Sequence, residues 1–265
     1  MSVTTLPVGD HLRAWRRRRR MSQLDLAGEA EVSSRHLSFV ETGRSNPSRD
    51  MVLRLAERLE VPMRERNILL VAAGYAPVFP QSELASPELT AVREAVEIIL
   101  DGHKPYPAFA LDRHWNMVMS NGALPQIFDG VDPALLQPPV NVVRLSLHPK
   151  GVAPRIINLA EWRAHMLARL RHQVELTADP MLIDLLAEAQ AYGGPPARPH
   201  RGASAEMVTA LRMRVGGETL SFFTTTLVFG TPVEVTLSEL AIESFLPADA
   251  ETAAAVRRLA GLPAT

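Results

Sequence analysis

The sequence predicts an α+β protein in two parts: an all-α N-terminal domain of five helices, and a C-terminal domain built on an antiparallel five-stranded sheet with flanking helices. Three observations predict it. Residues 1–75 carry apolar side chains at helical spacing between capping serines, while near residue 108 the apolar period shortens to that of a strand. A proline-rich, polar stretch, APVFPQSELASP (residues 76–87), separates the two regimes and reads as a linker. Charge divides at the same place: residues 1–75 hold 13 Lys+Arg against 9 Asp+Glu, a net of +4, and the remainder 15 against 20, a net of −5. A basic head on an acidic body suits a polyanion-binding domain joined to one that need not touch the polyanion.

The head is most informative over residues 22–49, SQLDLAGEAEVSSRHLSFVETGRSNPSR. Ser22 and Ser33 each mark a helix start, with a side-chain oxygen able to cap free backbone N–H groups. Between them Leu24, Ala27 and Ala30 recur at helical spacing, and Val32 supplies an apolar contact in the turn. In the second of these helices Leu37 and Val40 point inward, which leaves Ser34, Arg35 and Ser38 outward. Gly43 closes it and Pro47 marks the next turn. This is the layout of a helix that enters a DNA major groove. A fourth helix, 48–59, carries apolar Met51, Val52, Leu55, Ala56 and Leu59 and reads as scaffold. MRERNILLVAAGYAP (63–77) reads as a fifth, with Ile68, Leu69 and Val71 to Ala73 apolar.

The series Leu12-Arg13, Arg16, Ser22-Gln23, Leu26-Ala27, Val32-Ser33, Leu37-Ser38, Glu41, Gly43, Pro47-Ser48 and Leu55-Ala56 resembles the lambda-repressor-type, or XRE-family, helix-turn-helix over residues 11–60. The resemblance implies that Arg16 pairs with Glu41 and fixes the angle between helices, and that Gln23 contacts a phosphate and buttresses the reading helix. Arg17, Arg18, Arg19 and Arg20 are candidates for phosphate contacts, which raise affinity without reading sequence; their bland alternative is a solvated helix face. Ser33, Ser34, Arg35, His36 and Ser38 occupy the start and outer face of the reading helix, and Arg35 can donate two bonds to guanine. Arg44 and Asn46 follow as backbone contacts. One such head covers a short half-site, so the expected form is a homodimer on a palindromic double-stranded operator.

Beyond the linker, a helix is expected over 88–101. A hairpin follows, Ala108 to Leu111 and Trp115 to Met119, and then a short helix over 122–128 and a proline-broken loop. Two amphipathic helices come next, the second Pro180 to Tyr192, then a loop over 193–202. Strands are expected at Ala210 to Val215, Thr219 to Phe229 and Pro232 to Ser244, with a closing helix over 248–260. Two strands before the helices and three after is the order of PAS-type sensory domains.

LDRHWNMVMSNGA followed by VVRLSLHPKG behind such a head resembles the MmyB-like transcription regulators, on Leu111-Asp112, Trp115, Asn121, Ala123, Leu145, His148-Pro149 and Trp162. The resemblance implies a PAS-like ligand-binding and dimerisation domain over 88–265, with a fatty acid as the ligand type. The chain departs from that pattern after Tyr192, where a Pro/Gly-rich stretch stands in place of a tryptophan-and-histidine segment. Trp115, Met117, Met119, Met213, Phe222 and Phe229 are the candidates to line a cavity for a small apolar ligand; their alternative is an ordinary core.

No cysteine is present, which removes disulfides and thiolate metal sites. There is neither an apolar run of membrane-spanning length nor an N-terminal apolar run behind basic residues, so the expected location is cytoplasmic, with no membrane partner. GxSxG, HExxH, GxxxxGK[ST] and GxGxxG are all missing, and no enzymatic activity, metal or cofactor is expected. His165 and His172 share a helix face among arginines and read as surface groups; His103, His114 and His148 flank strands and turns, with haem ligation the minor alternative. The expectation is a bacterial-type transcriptional repressor whose operator binding responds to a small apolar ligand. The alternative is a ligand-independent regulator whose C-terminal domain serves only dimerisation or protein docking.

Overall fold

A computed structural model describes residues 6–194 and 209–263, so residues 195–202 of the expected loop lie outside the described residues. The described chain divides into two compact units. Residues up to Ser82 together with Pro232–Ser238 form one, and the rest from Glu83 onward form the other.

In the first unit the five expected helices are α1 (Val8–Arg18), α2 (Gln23–Glu29), α3 (Ser34–Glu41), α4 (Arg49–Arg58) and α5 (Met63–Ala72). Ser22, Ser33 and Ser48 cap α2, α3 and α4 by accepting from the backbone N–H of Asp25, His36 and Met51. Leu12, Leu26, Leu37, Leu55, Leu59, Leu69 and Leu70 are fully buried and make the core with Trp15, Ala27 and Val40. One residue differs from expectation, and a second apolar one is exposed. Leu24, in the first turn of α2, is 72% exposed, because the buried face of that helix runs through Leu26, Ala27 and Ala30; Val71 is likewise exposed on α5.

Helix endings were less legible. Gly43 (φ +73) ends α3 with N–H groups of Gly43 and Arg44 bonded back to Val40 and Phe39, as expected of a glycine stop. The same doubled closure ends α1, α2 and α4 with Arg20, Glu31 and Glu60 in the left-handed region, where no glycine announces it. The expected linker is not a free strand of chain. Buried Asn67 accepts from the N–H of Val78 and Phe79 and donates to the Phe79 carbonyl.

The second unit holds a five-stranded antiparallel sheet in the order β2-β1-β5-β4-β3, the strands being β1 (Ala108–Leu111), β2 (Met117–Ser120), β3 (Leu211–Val215), β4 (Glu218–Val228) and β5 (Ala241–Pro247). One face of β1 and β5 is covered by α6 (Thr90–Gly102) through Val96, Leu100, Ala110 and Ile242. The opposite face packs against α7 (Val142–Leu147), α8 (Leu159–Thr177), α9 (Pro180–Ala191) and α11 (Ala250–Leu259).

Three expectations need correction here. The 122–128 helix is only a 3-10 turn, Pro125–Phe128, because Leu124 sits at φ +51 and halts any longer helix. Helix α7 arises inside the expected loop, nucleated by Asn141, whose side chain accepts from the N–H of Val143 and Arg144. The strand expected from Pro232 begins only at Ala241. Residues 232–238 instead belong to the first unit, where α10 (Val235–Ser238) is clasped: Glu234 accepts from the N–H of Ser82 and Leu237, Val235 donates to the Pro80 carbonyl, and Thr236 donates to that of Ser82.

Candidate functional site

The head presents one polar face and holds it rigidly. Glu41, 2% exposed at the end of α3, accepts two bonds from Arg16 at 2.7 Å each and one from Gln23 Nε2 at 2.8 Å. Burial alone would push its carboxyl pKa up; the Arg16 and Gln23 bonds outweigh that and hold it below its ordinary value. Arg16 also donates to the Met21 carbonyl, so α1, α2 and α3 meet at a single carboxylate. Gly9 allows α1 to approach, since a Cβ there would stand 2.3 Å from the Val40 carbonyl oxygen.

On this frame Ser33, Ser34 and Arg35 are exposed at the start of α3, with His36 and Ser38 half-buried on the same helix. The Arg35 guanidinium lies 5.4 Å from the Phe39 ring centroid, a resting place that keeps it on the outer face. Arg17, Arg20, Arg44 and Asn46 are exposed as well. The four candidate phosphate arginines do not behave alike. Arg19 donates to the carbonyls of Leu59 and Glu60, capping the end of α4, and Arg18 lies over the Trp15 ring at 4.4 Å. Asn46 donates to the Ala73 carbonyl.

The second unit holds a cavity of about 110 Å³ between the sheet and helices α7 and α8. Trp115, Met117, Met213 and Phe222 line it as expected. Met119 and Phe229 do not: both pack against the α6 side of the sheet. A β-bulge separates the two methionines. Leu111 pairs with Met117 and Ala110 with Met119, so Val118 is an extra residue that turns Met119 to the other face. Phe229 lies just past the end of β4, where strand alternation no longer aims it.

Leu145, Ser146 and Val152 around α7 and Trp162 and Met166 on α8, which strand alternation could not reveal, supply further wall, and Phe109 and Phe245 add to it from the sheet. The rim is set by side chains bonding to backbone. Asp112 Oδ1 accepts from the N–H of His114 and Asn116, a tight turn that leaves Trp115 at φ +66 with its ring over the cavity. Asn121 donates to the carbonyls of Leu100 and Tyr106 and accepts from the N–H of Ala108 and Ala123.

The histidines fill structural places. His148 accepts from the Lys150 N–H and meets Tyr192 edge-on, and His114 bonds Asp179. His165 is not the surface group expected. It is half-buried, stacked on Trp162 at 5.5 Å, and its Nε2 is buried without a hydrogen-bond partner. Burial, with Arg169 adding to it, pushes its pKa down. Among the described residues no helix is long and apolar enough to cross a membrane, and no cluster of three or more His, Asp or Glu could hold a metal ion.

Two known families match parts of the chain. Residues 7–69 match a helix-turn-helix domain, and residues 92–259 match the ligand binding domain of MmyB-like transcription regulators. No curated protein matches the chain. With a helix-turn-helix domain at its N-terminal end and the larger part of the chain matching that ligand binding domain, the protein belongs to the MmyB-like transcription regulators.

Proposed function

We propose that this regulator is a repressor that binds a palindromic operator as a homodimer and is released by a small apolar ligand with a fatty-acid-like chain, bound in the cavity of its second unit. The observation that carries the ligand half is the cavity itself, walled almost entirely by apolar side chains against a sheet that is otherwise well packed. On the DNA side, Arg35 reads a base edge with Ser33, Ser34, His36 and Ser38 around it, Arg17, Arg20 and Arg44 hold phosphates, and Gln23 positions α3 through Glu41. Arg18, Arg19 and Asn46 take part in DNA binding through the folds they hold rather than as free contacts. The homodimer draws support from Phe223 and Leu227, which are exposed on the face of β4 opposite the cavity and suit a second copy.

Release operates as a population shift. Moving the head pair from 99:1 to 1:99 in favour of the DNA-incompetent arrangement requires about 5.5 kcal/mol of ligand preference. A micromolar ligand has about 8.2 kcal/mol in all, so most of its binding energy must distinguish the two arrangements.

The test is operator selection from random duplexes followed by anisotropy titration of wild type and Arg35→Ala. Loss of roughly 1–3 kcal/mol at one symmetric base position, with nonspecific binding kept, supports direct reading. Equal loss on every sequence makes Arg35 a phosphate contact. Selection of unpaired half-sites, or operator binding that no apolar extract changes, overturns the dimeric, ligand-released repressor.

A further inference from the structure

Phe39 brings a phenyl ring to the outer face of α3, where the other side chains are polar. Buried Leu37, Val40 and Glu41 mark the inner face of the helix. A step of about 100° per residue puts Arg35, Ser38, Phe39 and Thr42 together on the opposite side. Phe39 is half-buried, yet among the described residues it is not one of those packed against the head's core. The group over its ring is Arg35, with the guanidinium carbon 5.4 Å from the ring centroid. The ring therefore adds apolar surface to the side of α3 that faces DNA, beside the arginine that reads it.

The residues on that face differ in what they can offer a base pair. Thr42 donates its hydroxyl to the Ser38 carbonyl at 2.7 Å, so it has no proton left for a base edge. Arg35 carries paired donors that suit guanine, and a phenyl ring carries none. The one apolar group that a base pair presents in the major groove is the C5 methyl of thymine. Phe39 follows Arg35 by four residues, a rise of about 6 Å along the helix, against about 3.4 Å between successive base pairs. With α3 seated in the groove, the ring falls within about two base pairs of the guanine that Arg35 bonds.

We propose that Phe39 is a specificity-determining residue of α3, its ring packing on the methyl of a thymine that neighbours the guanine bonded by Arg35. This rests on the reading of Arg35 as a base contact and adds an apolar contact to that recognition. The two contacts form together: the guanidinium leaves the ring for guanine, which uncovers the ring for the methyl. Replacing thymine with uracil removes the methyl and leaves every hydrogen-bonding group of the base pair in place, which separates this contact from polar and phosphate contacts.

The test uses the full chain and the operator selected from random duplexes, with each thymine of one half-site replaced in turn by deoxyuridine. Binding is followed by anisotropy. Burial of one methyl is worth roughly fourfold in affinity, so wild type is expected to bind one substituted duplex about fourfold more weakly. That thymine is expected within about two base pairs of the guanine at which Arg35→Ala loses discrimination. Phe39→Ala is expected to bind the thymine and uracil duplexes alike, and Phe39→Leu, which keeps an apolar side chain, to recover part of the preference. Wild-type affinity unchanged by uracil at every position near that guanine overturns the proposal and leaves Arg35 as a base reader. The same loss in Phe39→Ala as in wild type does so too. If Arg35→Ala weakens every duplex equally, the guanine contact and the thymine contact fall together. Should neither Phe39 variant fold, the wild-type comparison of thymine with uracil alone decides.

Discussion

Replacing Glu41 with glutamine tests whether one carboxylate holds the head together. Glu41 is buried, receives two nitrogens of Arg16 and the amide of Gln23, and so ties α1, α2 and α3 together. Gln has nearly the same volume but loses the charge and turns an NH₂ towards donors, so an almost buried guanidinium is left without its anion. Breaking one side of such a pair costs about 3–5 kcal/mol. A domain of this size loses roughly 4–8 °C in Tm per kcal/mol, so the melting transition of the head should fall by roughly 12–40 °C. Scanning calorimetry separates the two units, and Trp15, the head's one tryptophan, identifies its transition. The difference should also depend on pH. The folded carboxyl titrates below its unfolded value, so its stabilisation is complete above the ordinary carboxylate range and fades as pH falls through the depressed value. Arg16→Met with Glu41→Leu should be more stable than either single variant, since the pair then disappears without an orphan. A drop in Tm below about 4 °C, or single effects that add to within about 0.5 kcal/mol, would refute the argument.

Two other perturbations have definite signs. Gly9→Ala should destabilise the head by about 1–3 kcal/mol in urea unfolding, although alanine favours helix, because its methyl would meet backbone atoms of Val40 and Glu41. The second unit should lose stability as pH drops from about 8 to 5.5. The unfolded chain protonates His165 near its ordinary pKa of about 6.5 while the buried ring resists, and His165→Phe should flatten that slope in calorimetry.

What the sequence makes legible here follows from range. Serine caps, inward leucines and the Arg16–Glu41 pair act within a turn or within a repeated motif, and they place α1 to α5 to within a few residues. The cavity depends on longer-range facts. Strand alternation puts Met117 and Met119 on one face, and a single extra residue, Val118, separates them. Leu145 and Trp162 carry the family resemblance in the sequence, yet nothing local says that α7 exists or that α8 turns Trp162 and Met166 towards Phe222. Glu243 reads as one more polar residue on a loosely alternating strand; its burial depends on Arg169, 74 positions away. The left-handed stops at Arg20, Glu31 and Glu60 were invisible for a simpler reason, since the backbone tolerates there what glycine usually signals.

The segment between β4 and β5 bears on coupling. Residues 232–238 leave the sheet between β4 and β5 and are clasped by residues 80–82 of the first unit, so the two units are joined covalently at 82–83, 231–232 and 238–239. The last of these joins leads directly into β5, which carries Glu243 and Phe245 of the cavity wall. A ligand that shifts β5 therefore acts on α10 through a few residues of chain, and Glu234 makes one of the three bonds that hold α10 to residues 80–82, beside those of Val235 and Thr236. Glu234→Ala removes a helix-capping carboxylate at a cost of about 0.5–2 kcal/mol, small enough for both units to remain folded. Ligand affinity and ligand-free operator affinity should then stay close to wild type. The factor by which ligand changes operator affinity, typically worth about 1–3 kcal/mol, should shrink towards unity. Measuring both affinities with and without ligand closes the thermodynamic cycle. An unchanged coupling factor in Glu234→Ala would mean that the signal travels through residues 83–90 alone, and that the clasp at 232–238 serves stability.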